Sequence, residues 1–390
     1  MLKILNSVAV LSYPFRIFFL ASGIYAIFII AAWLAILLGS LNLPLAWTPL
    51  YWHSHEMIFG VVTAAICGFL LTAMCNWTGA PPLKGLGLFG LFSLWITGRA
   101  VMWMGNHLPA EFVILVDAIF LPVVTLYVTY ILLSYGNKRN LILAVILTLL
   151  SICNIAMHAG AYTNNFYWMW AGETTALGLI TVIMVIIAGR IIPLFTINGL
   201  RGKGYDVDTI KNSSMLSTLA IISTALLIPL NFFTQYPSLI GVAALSAAVI
   251  NAIRLAQWAS LATKREPLLW ILHLGYAWIL IALVLKSMAA FNLWIAPSVW
   301  QHALGLGAMS SLILGMMTRV SLGHTGRPLS LPRFGVFIYV AISAAAIVRL
   351  LVALNWIDFQ LGLIVTTCAW IAAFGIFTIL YYPILTKPRI

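Results

Sequence analysis

Apolar residues in this chain come in runs of about twenty, with short polar stretches between them, and the alternation continues from one end to the other. A run of that length matches the hydrocarbon thickness of a bilayer. Backbone amides left unpaired in hydrocarbon are costly, so only helices and closed barrels cross it. The ten-residue alternation that marks a barrel strand is missing. The pattern predicts helices at approximately 18–38, 55–75, 86–104, 111–134, 141–160, 170–193, 215–235, 238–260, 268–290, 297–319, 334–354 and 361–385. The fold expected is all-α, a polytopic membrane helix bundle of about twelve transmembrane helices. Its first run is too long for a signal-peptide core and reads as a retained helix.

Composition agrees, with 63% hydrophobic residues and 7% charged, where a soluble domain has about 25% charged. The net charge of +12 resides in short connections, which points to topology and not to nucleic acid. Lys3 with Arg16, Lys84, Lys138 with Arg139, the 201–211 group, Lys264 with Arg265, Arg327 with Arg333, and Lys387 with Arg389 mark alternate connections, and the intervening ones have no Lys or Arg. Both termini are therefore expected in the cytoplasm. The chain reads as a single integral membrane domain, 1–390, with two possible six-helix halves at about 1–197 and 215–390. The polar cytoplasmic loop 198–214, with Gly199, Gly202 and Gly204, would join them. Cys67, Cys75, Cys153 and Cys368 form no paired motif and read as small buried hydrophobes.

Charged groups inside hydrocarbon are expensive, and those that remain usually face protein, cofactor or water. Arg99, Asp117, Glu173, Arg254, Lys286 and Arg349 are such residues, and Arg99 and Asp117, on consecutive helices, are placed to pair. Of the seven histidines, His53, His55, His107, His158 and His302 fall toward the outer side, and His273 and His324 toward the cytoplasm. His273 and His302 are separated by roughly 15 Å along the bilayer normal, too far to share one ion. Helical steps from His53 give Met57, Gly60, Ala64 and Cys67, a narrow stripe with soft sulfur of the kind Cu(I) prefers. His302, Gly305, Met309 and Met316 repeat that chemistry, beside a small-residue stripe of Gly307, Ser311 and Gly315. Axial imidazoles on different helices are also how a bundle commonly holds haem. Motifs for phosphoryl transfer and for serine or zinc hydrolases are missing.

WHSHEMIFG, GFLLTAMCNWTG, GRIIPLFTIN, HLGYAW, QHALGLGAM and MMTRVSLGHTGR together resemble the NnrS family, over about residues 50–330. The resemblance implies a haem- and copper-containing protein of the bacterial inner membrane, linked to nitric-oxide metabolism, denitrification and nitrosative stress. Its motif positions here are His53, His55 and Glu56, His273, His302, and His324 with Arg327. The expected haem b takes axial ligands from His53 or His55 and His302, with Arg99, Arg190, Arg319 and Arg327 as candidate propionate partners. Copper or proton relay falls to His273 and His324, and the candidate metal ligands also include His53, His55, Glu56 and Met57. The expected partners are nitric oxide or a nitrosyl species and the lipid bilayer, with no nucleic acid; the redox partner and enzymatic turnover are left open. The competing expectations are a carrier for copper, haem or an iron-nitrosyl species, and an assembly partner of a respiratory complex.

Overall fold

The computed structural model describes residues 8–201, 203–293 and 295–390; Lys3 and Gly202, invoked above, lie outside them. No strand occurs among the described residues. Eleven helices are long and apolar enough to cross a membrane, and a twelfth, Ser214–Leu230, is apolar but shorter. We number them α1 Pro14–Leu37, α2 Pro49–Thr78, α3 Gly85–Trp103, α4 Ala110–Ser134, α5 Leu141–Tyr162, α6 Phe166–Leu200, α7 Ser214–Leu230, α8 Pro237–Ala256, α9 Pro267–Ala290, α10 Pro297–His324, α11 Val336–Ala353 and α12 Phe359–Thr386. The chain is a multi-pass helical membrane protein. Its exterior agrees, since Leu126, Tyr130 and Ile379 are among many large apolar side chains left exposed, a surface suited to lipid.

Prolines begin several of these helices. Pro14, Pro49, Pro237, Pro267 and Pro297 stand at first helical positions, where the missing N–H would have had no partner and the fixed φ already suits the helix. Two helices run further than the hydropathy pattern predicts. α6 continues through Asn198 and Gly199 to Leu200, and α10 ends on His324. Their last turns are too polar for a hydropathy window but remain helical.

Two compact units divide the chain: residues 1–177 with 320–328 and 377–390, and residues 178–319 with 329–376. In the first, Phe15, Phe18, Phe19, Trp52 and Trp95 are fully buried, or nearly so. Arg16 is buried there as well, and its Nη1 donates to the carbonyls of Leu385 at 2.9 Å and Lys387 at 2.7 Å, which closes the end of α12.

In the second unit Trp258, Tyr276 and Tyr339 are fully buried. Pro193 lies inside α6 and has no N–H for the Gly189 carbonyl one turn back. Asn212 Nδ2 donates to that carbonyl at 3.3 Å, and Arg254 Nη1 donates to Val185 O at 2.9 Å. α9 and α10 approach closely, with Gly275 against Leu312 and Gly315 against Leu272; an added Cβ would come within 2.8 Å of either leucine.

One feature of both units escapes hydropathy analysis. Residues Glu56–Val62 of α2 and Ala303–Met309 of α10 are π-helical. Each segment directly follows a short α-helical turn that starts at proline and contains Trp and His, namely Pro49–His55 and Pro297–His302. A π turn bonds each residue to the fifth beyond it, so it shifts the helical phase of everything downstream. In the first unit, Ser22 Oγ donates to Val61 O at 3.0 Å and Trp95 Nε1 to Gly60 O at 3.2 Å, which satisfies carbonyls of the widened turn.

Candidate functional site

The first unit encloses a polar network assembled from five helices. α1 supplies Tyr25; α2 supplies His55 and Glu56, the junction between its α and π segments; α3 supplies Arg99 and Trp103; α4 supplies Asp117; and α5 supplies Asn154 and His158. His55, Glu56, Arg99, Asp117, Asn154 and His158 are all buried. Arg99 joins the two carboxylates: Nη1 donates to Glu56 Oε1 at 2.6 Å and Nη2 pairs with Asp117 Oδ1. The pairing of Arg99 with Asp117 read from the sequence therefore forms.

Asp117 sits where α4 breaks into Ala110–Ala118 and Phe120–Ser134. Pro122 has no N–H to give the Ala118 carbonyl, and the helix is interrupted at Ile119. Two glycines let the chain close in: a Cβ on Gly60 would stand 2.7 Å from the Tyr25 ring, and one on Gly98 would stand 3.1 Å from Asp117 Oδ1.

Asp117 Oδ2 accepts from Asn154 Nδ2 at 3.0 Å and from His158 Nε2 at 2.8 Å, and lies 3.2 Å from His55 Nε2. His55 Nδ1 faces Glu56 Oε1 at 2.9 Å, and its Nε2 also faces Asn154 Oδ1 at 2.8 Å. Tyr25 donates to the other Glu56 oxygen and accepts from Trp103 Nε1 at 2.8 Å. The Trp47 ring meets His55 and His158 edge-on, with centroids 4.8 Å and 4.9 Å away, and covers both imidazoles.

Charge and donor chemistry define what this site suits. Two carboxylates against one guanidinium leave one negative charge unbalanced in a buried volume, an arrangement that one extra proton or one bound cation relieves. Both nitrogens of His55 face acceptors, which an imidazolium satisfies. A cation satisfies the site differently. Ligand atoms of His55, Asp117 and His158 all lie within 4.8 Å of one another. Glu56 holds His55 Nδ1, and Arg99 holds the other Asp117 oxygen, which are the outer hydrogen bonds that orient ligands toward a metal. Two imidazoles and one carboxylate suit copper or non-haem iron. The residues fit a small metal ion, and the Trp47 cover leaves the trio unsuited to a porphyrin face.

The remaining sequence candidates are spread over both units. In the first, His53 stacks on Trp33 with centroids 4.4 Å apart and planes 10° apart, and Met57 is half-buried. The step from His53 to Met57, Gly60, Ala64 and Cys67 crosses the π segment, so these residues form no single 3.6-residue stripe, and Gly60 faces Tyr25 and Arg99 instead. His324 packs on Phe15 at 5.7 Å. Arg327 has a buried Nη1 with no hydrogen-bond partner among the described residues. Cys67 and Cys153 are buried, whereas Cys368 of the second unit is exposed.

In the second unit, His273 is held at both nitrogens by hydroxyls, Thr196 and Ser260, each at 2.9 Å. Arg319 lies over the Phe195 ring at 4.1 Å. His302 differs from these. Its Nδ1 donates to Ser298 O at 2.6 Å, which leaves Nε2 as the lone-pair nitrogen, the tautomer a metal requires. A Cβ added to Gly305, in the π segment that follows, would meet nothing within 4 Å, so α10 leaves open space in that segment. These residues fit an axial haem ligand.

The sequence places His158 only by depth and does not single out Asn154 or Tyr25. The signal was available: Asn154 and His158 are four apart on an otherwise apolar helix and share one face. Among known proteins, the family described as NnrS protein matches residues 9–389, and no curated protein matches the chain.

Proposed function

We propose, from the premise that the chain belongs to the NnrS family, that it is a haem- and copper-binding protein of the bacterial inner membrane that handles nitric oxide or a nitrosyl species. Membership supports a membrane protein related to nitric oxide. The observation that carries the metal assignment is the buried His55, Asp117 and His158 trio, with its ligand atoms within 4.8 Å of one another. Copper is assigned to this trio. Haem is assigned to His302, whose Nδ1 is held by the Ser298 carbonyl so that Nε2 keeps its lone pair.

The chain's own groups have distinct tasks in this reading. Glu56 and Arg99 orient His55 and Asp117, Trp47 excludes water from the ion, and Ser298 fixes the tautomer of His302. Bound haem would supply an iron able to bind nitric oxide.

The test is metal analysis of detergent-purified protein, with optical spectra of the reduced form before and after addition of nitric oxide. His55→Ala, His158→Ala and Asp117→Asn are expected to lose copper and keep haem, and His302→Ala to lose the haem spectrum. Colourless, metal-free wild-type protein from cells supplied with haem and copper would end this reading.

A further inference from the structure

The haem assigned to His302 needs a cation for its propionates, and the sequence offered Arg99, Arg190, Arg319 and Arg327. Arg99 is committed to Glu56 and Asp117, and Arg319 lies over Phe195. In the second unit two further cations stand near the same helix ends as His302. Lys286 is four residues from the end of α9, Arg349 is four from the end of α11, and His302 is five from the start of α10. At 1.5 Å per residue all three fall about 6 to 8 Å inside that end.

Geometry separates the two cations. Lys286 Nζ sits 3.9 Å from the centre of the Trp300 ring. Trp300 and His302 are two apart on an α-helical turn, so they point about 200° from each other and Lys286 serves the face away from His302. Arg349 is on the His302 side, where α11 packs against the opening turns of α10 and its guanidinium is within electrostatic range of the imidazole. It is half-buried, and among the described residues it has neither a hydrogen-bond partner nor a carboxylate within 4.0 Å. A half-buried guanidinium without a partner, beside a ligand-ready imidazole and open space at Gly305, lacks an anion.

Resting on the haem reading above, we propose that Arg349 anchors a carboxylate of the porphyrin whose iron takes His302 Nε2. The guanidinium fork matches a propionate in shape and charge, and partial burial strengthens the pair. Lys286 takes no part.

The experiment compares uptake of iron protoporphyrin IX and of its dimethyl ester by haem-free full-length protein, followed by optical titration. Wild-type protein is expected to prefer the free acid by roughly tenfold, the worth of one charge-assisted hydrogen bond. Arg349→Gln should lose that preference without losing the ester affinity, Arg349→Lys should restore part of it, and Lys286→Gln should behave as wild type. Equal affinity of wild-type protein for acid and ester overturns the proposal, and so does an unchanged preference in Arg349→Gln. The wild-type comparison stands even where a variant fails to fold. Wild-type protein that takes up neither porphyrin defeats the haem reading itself and this assignment with it.

Discussion

Asp117 is the residue on which the polar network converges, since Arg99, His55, Asn154 and His158 all come within 3.2 Å of its carboxylate. Removing one partner of a buried ion pair leaves the other uncompensated, at a cost of about 3–5 kcal/mol. Arg99→Ala and Asp117→Ala should therefore each lower the thermal midpoint in detergent strongly, and the double variant should cost less than the two added. Additive losses would show that the pair is not coupled. The acid and the arginine were both visible in the sequence as charges inside apolar runs. Asn154 showed only through its four-residue step to His158, and Tyr25 not at all, because a neutral polar side chain carries a smaller penalty than a charge and resembles many others that bond only to their own helix.

Proline and π turns decide where these side chains point. Pro122 interrupts α4 next to Asp117, so Pro122→Ala restores an N–H for the Ala118 carbonyl and should make the helix continuous there. The expected outcome is an unchanged helical circular-dichroism spectrum with metal content clearly reduced; full metal retention would show that the break does not aim Asp117. Gly60, within the π segment of α2, has the Tyr25 ring where a Cβ would go. Gly60→Val should overpack that contact, destabilise by about 1–3 kcal/mol in thermal melts, and disturb metal retention. The existence of the helices was legible in hydropathy, and eleven long apolar helices and one shorter one are found among the described residues. The π segments were not, because a wider turn buries the same kinds of residue and changes only the phase. Stripes counted at 3.6 residues per turn fail beyond Glu56 for that reason.

Topology at the level of the chain rests on charge bias. Lys and Arg collect in alternate connections, and if the shorter Ser214–Leu230 crosses as the eleven long spans do, the even count puts both termini on one side. A reporter fused after Ile390 is expected to register in the cytoplasm, and a periplasmic signal would overturn the crossing count. The division into units is of another kind, since residues 320–328 and 377–390 belong with the first 177. Hydropathy and charge are properties of single residues summed along the chain. They were enough to determine a helical membrane protein and its stock of histidines, and the ordered motifs identified its family. Which histidines meet which acids depends on contacts between residues up to about a hundred apart, as between His55 and Asn154. Only packing of the helices in three dimensions decides that, because the direction of each side chain follows from breaks, widened turns and close glycine contacts that leave almost no mark on the apolar pattern.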